Sequence, residues 1–278
     1  MDLSFFQSLL YGLIAGLSDI LPVSAQAHKL ILLKVFGGDS EPPVLRLLVH
    51  LAILGALYYC NQAQITRLIR QRRLAKIPKR RRKRPVDMRS IMDIRLLQTM
   101  LVPVIIGFVL YFKTLTIGDS LMWVALFLFV NGIILFLPRV LPSGNKDSRA
   151  MSRVDGVMMG LGATAAALPG ISSIGTITSV AMIRGTERAY ALNMSLLMHM
   201  VITAGMIIYD LFALVTGNAG LLSFGIVMGY LLAAVCAFVG TFLGIRAMQA
   251  LAVHTGFDLF SYYCWGLALF AFIMYLSV

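Results

Sequence analysis

Six apolar stretches, at about residues 44–62, 94–112, 119–138, 189–215, 221–245 and 257–278, are each bounded by charges, Gly or Pro. Each approaches the roughly 20 residues that a helix needs to cross a bilayer. None shows the alternation of apolar and polar residues that marks a barrel strand, so the pattern predicts helices. Two further apolar regions, about 3–36 and 154–183, are interrupted by Leu-Pro followed by small and hydroxyl residues: LPVSAQAH from Leu21 and LPGISSIG from Leu168. Proline removes a backbone donor, and the residues after it compete for backbone hydrogen bonds, so neither region reads as one unbroken helix. The two breaks occupy matching places in two halves, 1–138 and 154–278, which is the pattern of an inverted repeat whose hairpins dip to mid-membrane and meet. Irregular backbone at that depth survives only against protein or a watery cavity. The expected fold is all-α, one integral membrane domain over 1–278 with six transmembrane helices and two re-entrant helix hairpins.

Composition agrees. Of 278 residues, 59% are hydrophobic and 13% charged, and the mean hydropathy is +0.85, far from the balance of soluble domains. The net charge of +12 is concentrated: Arg67 to Arg89 carries twelve Lys or Arg against one acid, Asp87. A basic loop over 63–90 between two spans fits the anionic cytoplasmic leaflet better than nucleic acid, which is not expected as a partner. With Arg95, Arg139, Lys146, Arg149, Arg153, Arg184, Arg188 and Arg246, twenty cations fall on that side, whereas Lys29, Lys34, Arg46 and Lys113 fall on the other. The positive-inside rule then puts the basic loop in the cytoplasm and both termini outside. Cys60, Cys236 and Cys264 lack metal or redox spacing and read as small apolar residues. SAQA at Ser24 to Ala27 resembles a signal-peptidase site, but no positive n-region precedes it, so residues 1–30 are expected to stay in the mature protein.

Ionisable residues inside membrane segments usually serve function. By that rule Asp19 and His28, nine residues apart across the first break, are the leading candidates, with His28 for proton transfer and Asp19 to orient it or to hold a cation. Ser24, Gln26, Gly170, Ser172, Ser173 and Thr176 surround the two breaks and are candidate donors to an anionic group. His50 begins a span, His199 lies inside one and faces either the cavity or a neighbouring helix, and His254 sits in a loop; a structural role is favoured for each, and Asp210 is assigned to the interface. A channel would need rings of like residues, and none appears.

The motifs resemble those of the undecaprenyl-diphosphate phosphatase family, the bacitracin-resistance type. The resemblance covers nearly the whole chain: GLIAGLSDILPVSAQAHKLIL, ALPGISSIGTIT, ERAYALNMSLLM and the terminal GFDLFSYYCWGLALF. It implies removal of a phosphate from the polyprenyl diphosphate carrier lipid of cell-envelope synthesis in a bacterial inner membrane, usually with a divalent cation, Mg²⁺ or Ca²⁺. Anionic lipids at the basic loop and a second copy of the chain are further expected partners. The departures fall at the chemistry. Where the family's first motif has two glutamates this chain has Ala15 and Asp19, and where it has Ser-Thr-Gly this chain has Ala25, Gln26 and Ala27. In the second motif Pro169, Gly170, Ser172 and Gly175 are kept, but Ser173 replaces the arginine and Ile174 a serine. Diphosphate hydrolysis needs charge neutralisation, an activated nucleophile and a proton for the leaving oxygen. His28, Asp19 and Ser24 are the catalytic candidates, and Asp19 alone is a meagre metal site. Arg184 and Arg188 are nearby cations, placed by this topology at the cytoplasmic rim. A second reading keeps the hairpins and discards hydrolysis: two rocking halves would carry a polyprenyl phosphate between leaflets as a translocase.

Overall fold

A computed structural model describes residues 3–38, 40–114, 120–141, 144–216, 223–254 and 257–277. Ten α-helices account for almost all of this: α1 (Phe5–Ile20), α2 (Ala25–Val35), α3 (Pro43–Lys76), α4 (Met88–Thr114), α5 (Leu121–Val140), α6 (Arg153–Ala165), α7 (Ser173–Ile183), α8 (Arg188–Thr216), α9 (Phe224–His254) and α10 (Asp258–Ser277). Six of them, α3, α4, α5, α8, α9 and α10, are long and apolar enough to cross a membrane, and the chain is a multi-pass integral membrane protein. Exposed rows such as Val102, Ile105 and Ile106 on α4, or Leu269, Phe272 and Ile273 on α10, suit contact with lipid tails.

Both Leu-Pro breaks are real. The chain turns at Leu21–Val23 between α1 and α2, and between Ala166 and Ile171 separating α6 from α7. At 1.5 Å per residue the four arms are roughly 16–24 Å long, shorter than a hydrocarbon core of about 30 Å. Asp155 in the first turn of α6 is held by Arg184, just past α7, at 2.8 Å, so the second hairpin starts and finishes at one end of the bundle. Arg89 to Asp147 at 3.5 Å and Arg67 to Asp93 at 3.7 Å put the basic segment at that same end. The first hairpin closes at the opposite end. There Glu41, just before α3, accepts from Tyr11 of α1 at 2.5 Å and from Lys29 of α2 at 2.9 Å. Burial works to raise the Glu41 carboxyl, but Lys29, His50 and the Tyr11 hydroxyl hold it below its ordinary value.

Helix α1 lies on α9 and α6 lies on α4, each through a pair of glycines four residues apart. A Cβ at Gly12 or Gly16 would overlap the carbonyls of Ala233 and Ala237, and one at Gly156 or Gly160 would strike Thr99 and Met100. Small residues at these crossings let backbones approach where lipid offers no hydrophobic drive between helices. The helix pairs α5–α10 and α3–α8 complete the bundle.

One expectation is corrected. The basic loop 63–90 is mostly not a loop, since α3 runs on to Lys76, Lys79–Arg81 form a 3₁₀ turn and α4 begins at Met88. Residues 63–76 are rich in Gln, Arg, Leu and Ala, good helix formers with no Gly or Pro before Pro78, so the helix continues after its apolar stretch ends.

Candidate active site

The two hairpin tips meet. Asn131, fully buried in α5, donates through Nδ2 to the Pro22 carbonyl at 3.0 Å and accepts through Oδ1 from the Ser172 backbone N–H at 3.0 Å. One amide thus satisfies a backbone group on each tip, and a Cβ on Gly175 would already press on Pro22 at 2.9 Å. Asn131 was not singled out from sequence, although a lone amide in the apolar run FVNGIIL is the kind of signal that marks an intramembrane polar contact.

Beside the joined tips lies a cavity of about 70 Å³, walled by Asp19, Ala25 and Gln26 from the first hairpin, Thr164, Ser172 and Ser173 from the second, and His199 from α8, with apolar residues of α4 completing it. Two half-helices begin here, because Ser24 is the N-cap of α2 and Ser172 the N-cap of α7. Their free N–H groups and positive dipole ends favour an anion. Gln26 adds a carboxamide whose buried Oε1 has no hydrogen-bond partner among the described residues.

The chemical centre is a chain of three side chains. Ser173 Oγ lies 2.7 Å from His199 Nδ1, and His199 Nε2 lies 2.6 Å from Asp19 Oδ2. A carboxylate can only accept, so Nε2–H donates a hydrogen bond to Asp19, and in the neutral ring Nδ1 accepts one from the Ser173 hydroxyl. Hydroxyl, imidazole and carboxylate therefore stand in the order that activates an oxygen nucleophile.

This arrangement corrects the expected pairing of Asp19 with His28. His28 bonds the Ser24 carbonyl through Nδ1 at 2.8 Å and the Tyr263 hydroxyl through Nε2 at 2.7 Å, and its ring stacks on Tyr263. It borders a separate apolar cavity of about 480 Å³ among Leu17, Leu21, Phe260 and Tyr263. Asp19 faces the other way because α1 ends one residue later, and its last turn points the carboxylate at α8. His199, assigned to packing from the sequence, is the partner instead. Three other candidates are also redirected. Ser24 Oγ accepts from Ala27 N–H at 3.5 Å as a helix cap, and Thr176 Oγ1 donates to the Ser172 carbonyl at 2.7 Å. Gly170, at φ +111°, packs on the α5 backbone, where a Cβ would meet Val124 and Leu128 within 3 Å. Its missing Cβ is what lets the turn pack there. Ser172 lines the cavity, but its Oγ caps Gly175. His50 and Arg46 both bind Asp210 at 2.6 Å, so Asp210 is buried in an ion cluster. The His254 and Lys113 side chains lie outside the described residues.

No cation lines the cavity among the described residues; Arg184 is engaged by Asp155 at the basic end of the bundle. Nor do the described residues gather three or more His, Cys, Asp or Glu that could hold a metal. Asp19 is the one carboxylate in the wall and already accepts from His199, so the residues present do not build a resident metal site.

The family model for bacitracin resistance protein BacA matches residues 8–270. Curated relatives include undecaprenyl-diphosphatases from Carboxydothermus hydrogenoformans, 28% identical over 94% of this chain and 93% of the relative, and from Methanobrevibacter smithii, 26% identical over 98% of both. A third, undecaprenyl-diphosphatase 1 of Shouchella clausii, is 26% identical over 98% of this chain and 96% of its own.

Proposed function

Because the chain belongs to the bacitracin resistance protein BacA family, we propose that it is a membrane undecaprenyl-diphosphate phosphatase, releasing the terminal phosphate of that carrier lipid. The observation that carries this reading is the cavity shared by both hairpin tips, where an activated hydroxyl stands beside two half-helix N-termini. A phosphoryl group seated there would receive backbone N–H donors on one side and a nucleophile on the other, two of the three requirements of diphosphate hydrolysis, and His199 would return the proton that the third demands. The relatives carry a hydrolase's name, and nothing in the comparisons supports the translocase reading.

The hairpins are proposed to be re-entrant, entering from opposite faces. Arms too short to cross and tips joined by Asn131 support this. The basic end is proposed to face the cytoplasm, where Arg80 to Arg84 would meet anionic lipid heads, with both termini on the far side in a bacterial inner membrane. A Mg²⁺ or Ca²⁺ ion, where activity needs one, is proposed to arrive on the diphosphate, since Asp19 alone would hold it poorly.

The test is phosphate release from undecaprenyl diphosphate by the purified chain in detergent, with and without magnesium or calcium. Release is expected from the wild type and a loss of at least about 100-fold in His199→Gln. A folded wild-type protein that releases no phosphate under any of these conditions overturns the reading.

A further inference from the structure

We propose that Ser173 is the nucleophile and that catalysis passes through a phosphoserine at this position, an inference that rests on the phosphatase reading above. Ser173 occupies the place where the family pattern has an arginine, so the chemistry is inferred from this chain's own geometry.

Ser173 opens α7 directly after its N-cap, which leaves its side chain free of the capping duty that Ser172 performs. Unlike Ser24, Ser172 and Thr176, it spends its hydroxyl on neither its own helix nor a neighbouring carbonyl; its hydrogen bond goes to His199. His199 is buried, and its Nε2 is held by Asp19, so in the neutral ring the proton sits on Nε2 and the bare Nδ1 faces Ser173. Buried imidazoles that serve packing alone need a partner for each nitrogen; this one joins a partly exposed cavity hydroxyl to a carboxylate from the opposite hairpin.

In the first step Ser173 Oγ bonds to the terminal phosphorus while its proton moves to His199 Nδ1. The bond from that phosphorus to the bridging oxygen breaks, and its electron pair leaves with the polyprenyl monophosphate, which takes the proton from His199. In the second step a water oxygen attacks the phosphoserine, His199 accepts the water's proton, and the P–Oγ bond breaks. Its electron pair returns to Oγ, which recovers the proton, and inorganic phosphate departs. Water is the one co-reactant. Asp19 touches no reacting atom; it is a positioning residue that holds the ring and offsets the charge of the imidazolium.

The experiment uses full-length protein and a polyprenyl diphosphate whose terminal phosphorus is made chiral with sulphur and oxygen isotopes. Two displacements retain configuration at phosphorus and one direct attack by water inverts it, so retention is expected and inversion overturns the proposal. Ser173→Ala is expected to lose at least about 100-fold in rate at an unchanged melting temperature. A rate within 3-fold of wild type overturns the assignment to Ser173 even with retention. Should Ser173→Ala unfold the chain, Ser173→Gly joins the stereochemical result as the second variant, read by the same rate criteria. A wild type that releases no phosphate at all is a failure of the phosphatase reading, whereas release with inversion is a failure of this proposal alone.

Discussion

The two hairpins share a plan and carry different loads. Both break at Leu-Pro, both restart a helix on a serine cap, and both pack their first arm through a glycine pair on a span of the other half. The first supplies an acid, Asp19, from the end of its incoming arm, while the second supplies a hydroxyl, Ser173, from the start of its outgoing arm. Neither completes the chain of proton transfer, and the histidine between them comes from the full span α8. Two similar hairpins thus contribute different chemical groups to one site. The difference also explains how a chain without the family's arginine keeps a reactive centre, because the position that would hold a clamp holds the nucleophile instead.

The largest expected effect comes from cutting the joint that makes the comparison meaningful. Asn131→Leu leaves the Ser172 N–H buried without its partner, at about 1–3 kcal/mol, and leaves the Pro22 carbonyl only the weak Cys264 thiol donor at 3.7 Å. Thermal melting in detergent should fall and phosphate release should fall with it; an unchanged melting curve would mean that the tips hold together without the amide. Next come the glycine crossings. Gly12→Leu and Gly156→Leu force side chains into opposing backbone or side chains, and each should destabilise by about 1–3 kcal/mol or more. Comparable losses in the two variants would support equivalent halves, and a loss in only one would break the equivalence.

The helices were legible because a bilayer imposes length and apolarity on every span, and the hairpins because proline leaves a local signature. The continuation of α3 to Lys76 was hidden, since a charged run reads as a loop when only apolarity is scored. His199 was hidden for another reason. It is 180 residues from Asp19 and lies inside the span SLLMHMVIT, where neighbours in sequence say nothing of partners across the bundle. Proximity in sequence favoured His28, and the turn at Leu21–Val23 sends that ring to Tyr263. That polar and ionisable residues inside a membrane are usually functional holds for His199 and Asn131 too, although both lie in unbroken spans.

A smaller effect sharpens this point. His28→Ala removes hydrogen bonds to the Ser24 carbonyl and the Tyr263 hydroxyl and a ring stack with Tyr263, worth about 1–2 kcal/mol of stability, and should leave turnover within about 3-fold. A loss near 100-fold would move the chemistry to the first hairpin alone. The smallest effect concerns the far end of that hairpin. The Glu41 carboxyl is held below its ordinary 4.5, so its stabilising contribution is present above that value and is lost as pH falls through the lower, folded one. Melting temperature should drop on acidification below about pH 4 in wild type, and the drop should shrink in Glu41→Gln.

The central claim is that one residue from each hairpin acts through His199 as a unit, and a double-mutant cycle on turnover reads it directly. Ser173→Ala, Asp19→Asn and the double variant are assayed at saturating undecaprenyl diphosphate, with melting curves to confirm folding. Groups that work as a unit are strongly non-additive. The account predicts that the double variant is no slower than Ser173→Ala within about 3-fold, and a double variant slowed by the product of the two single losses would contradict it.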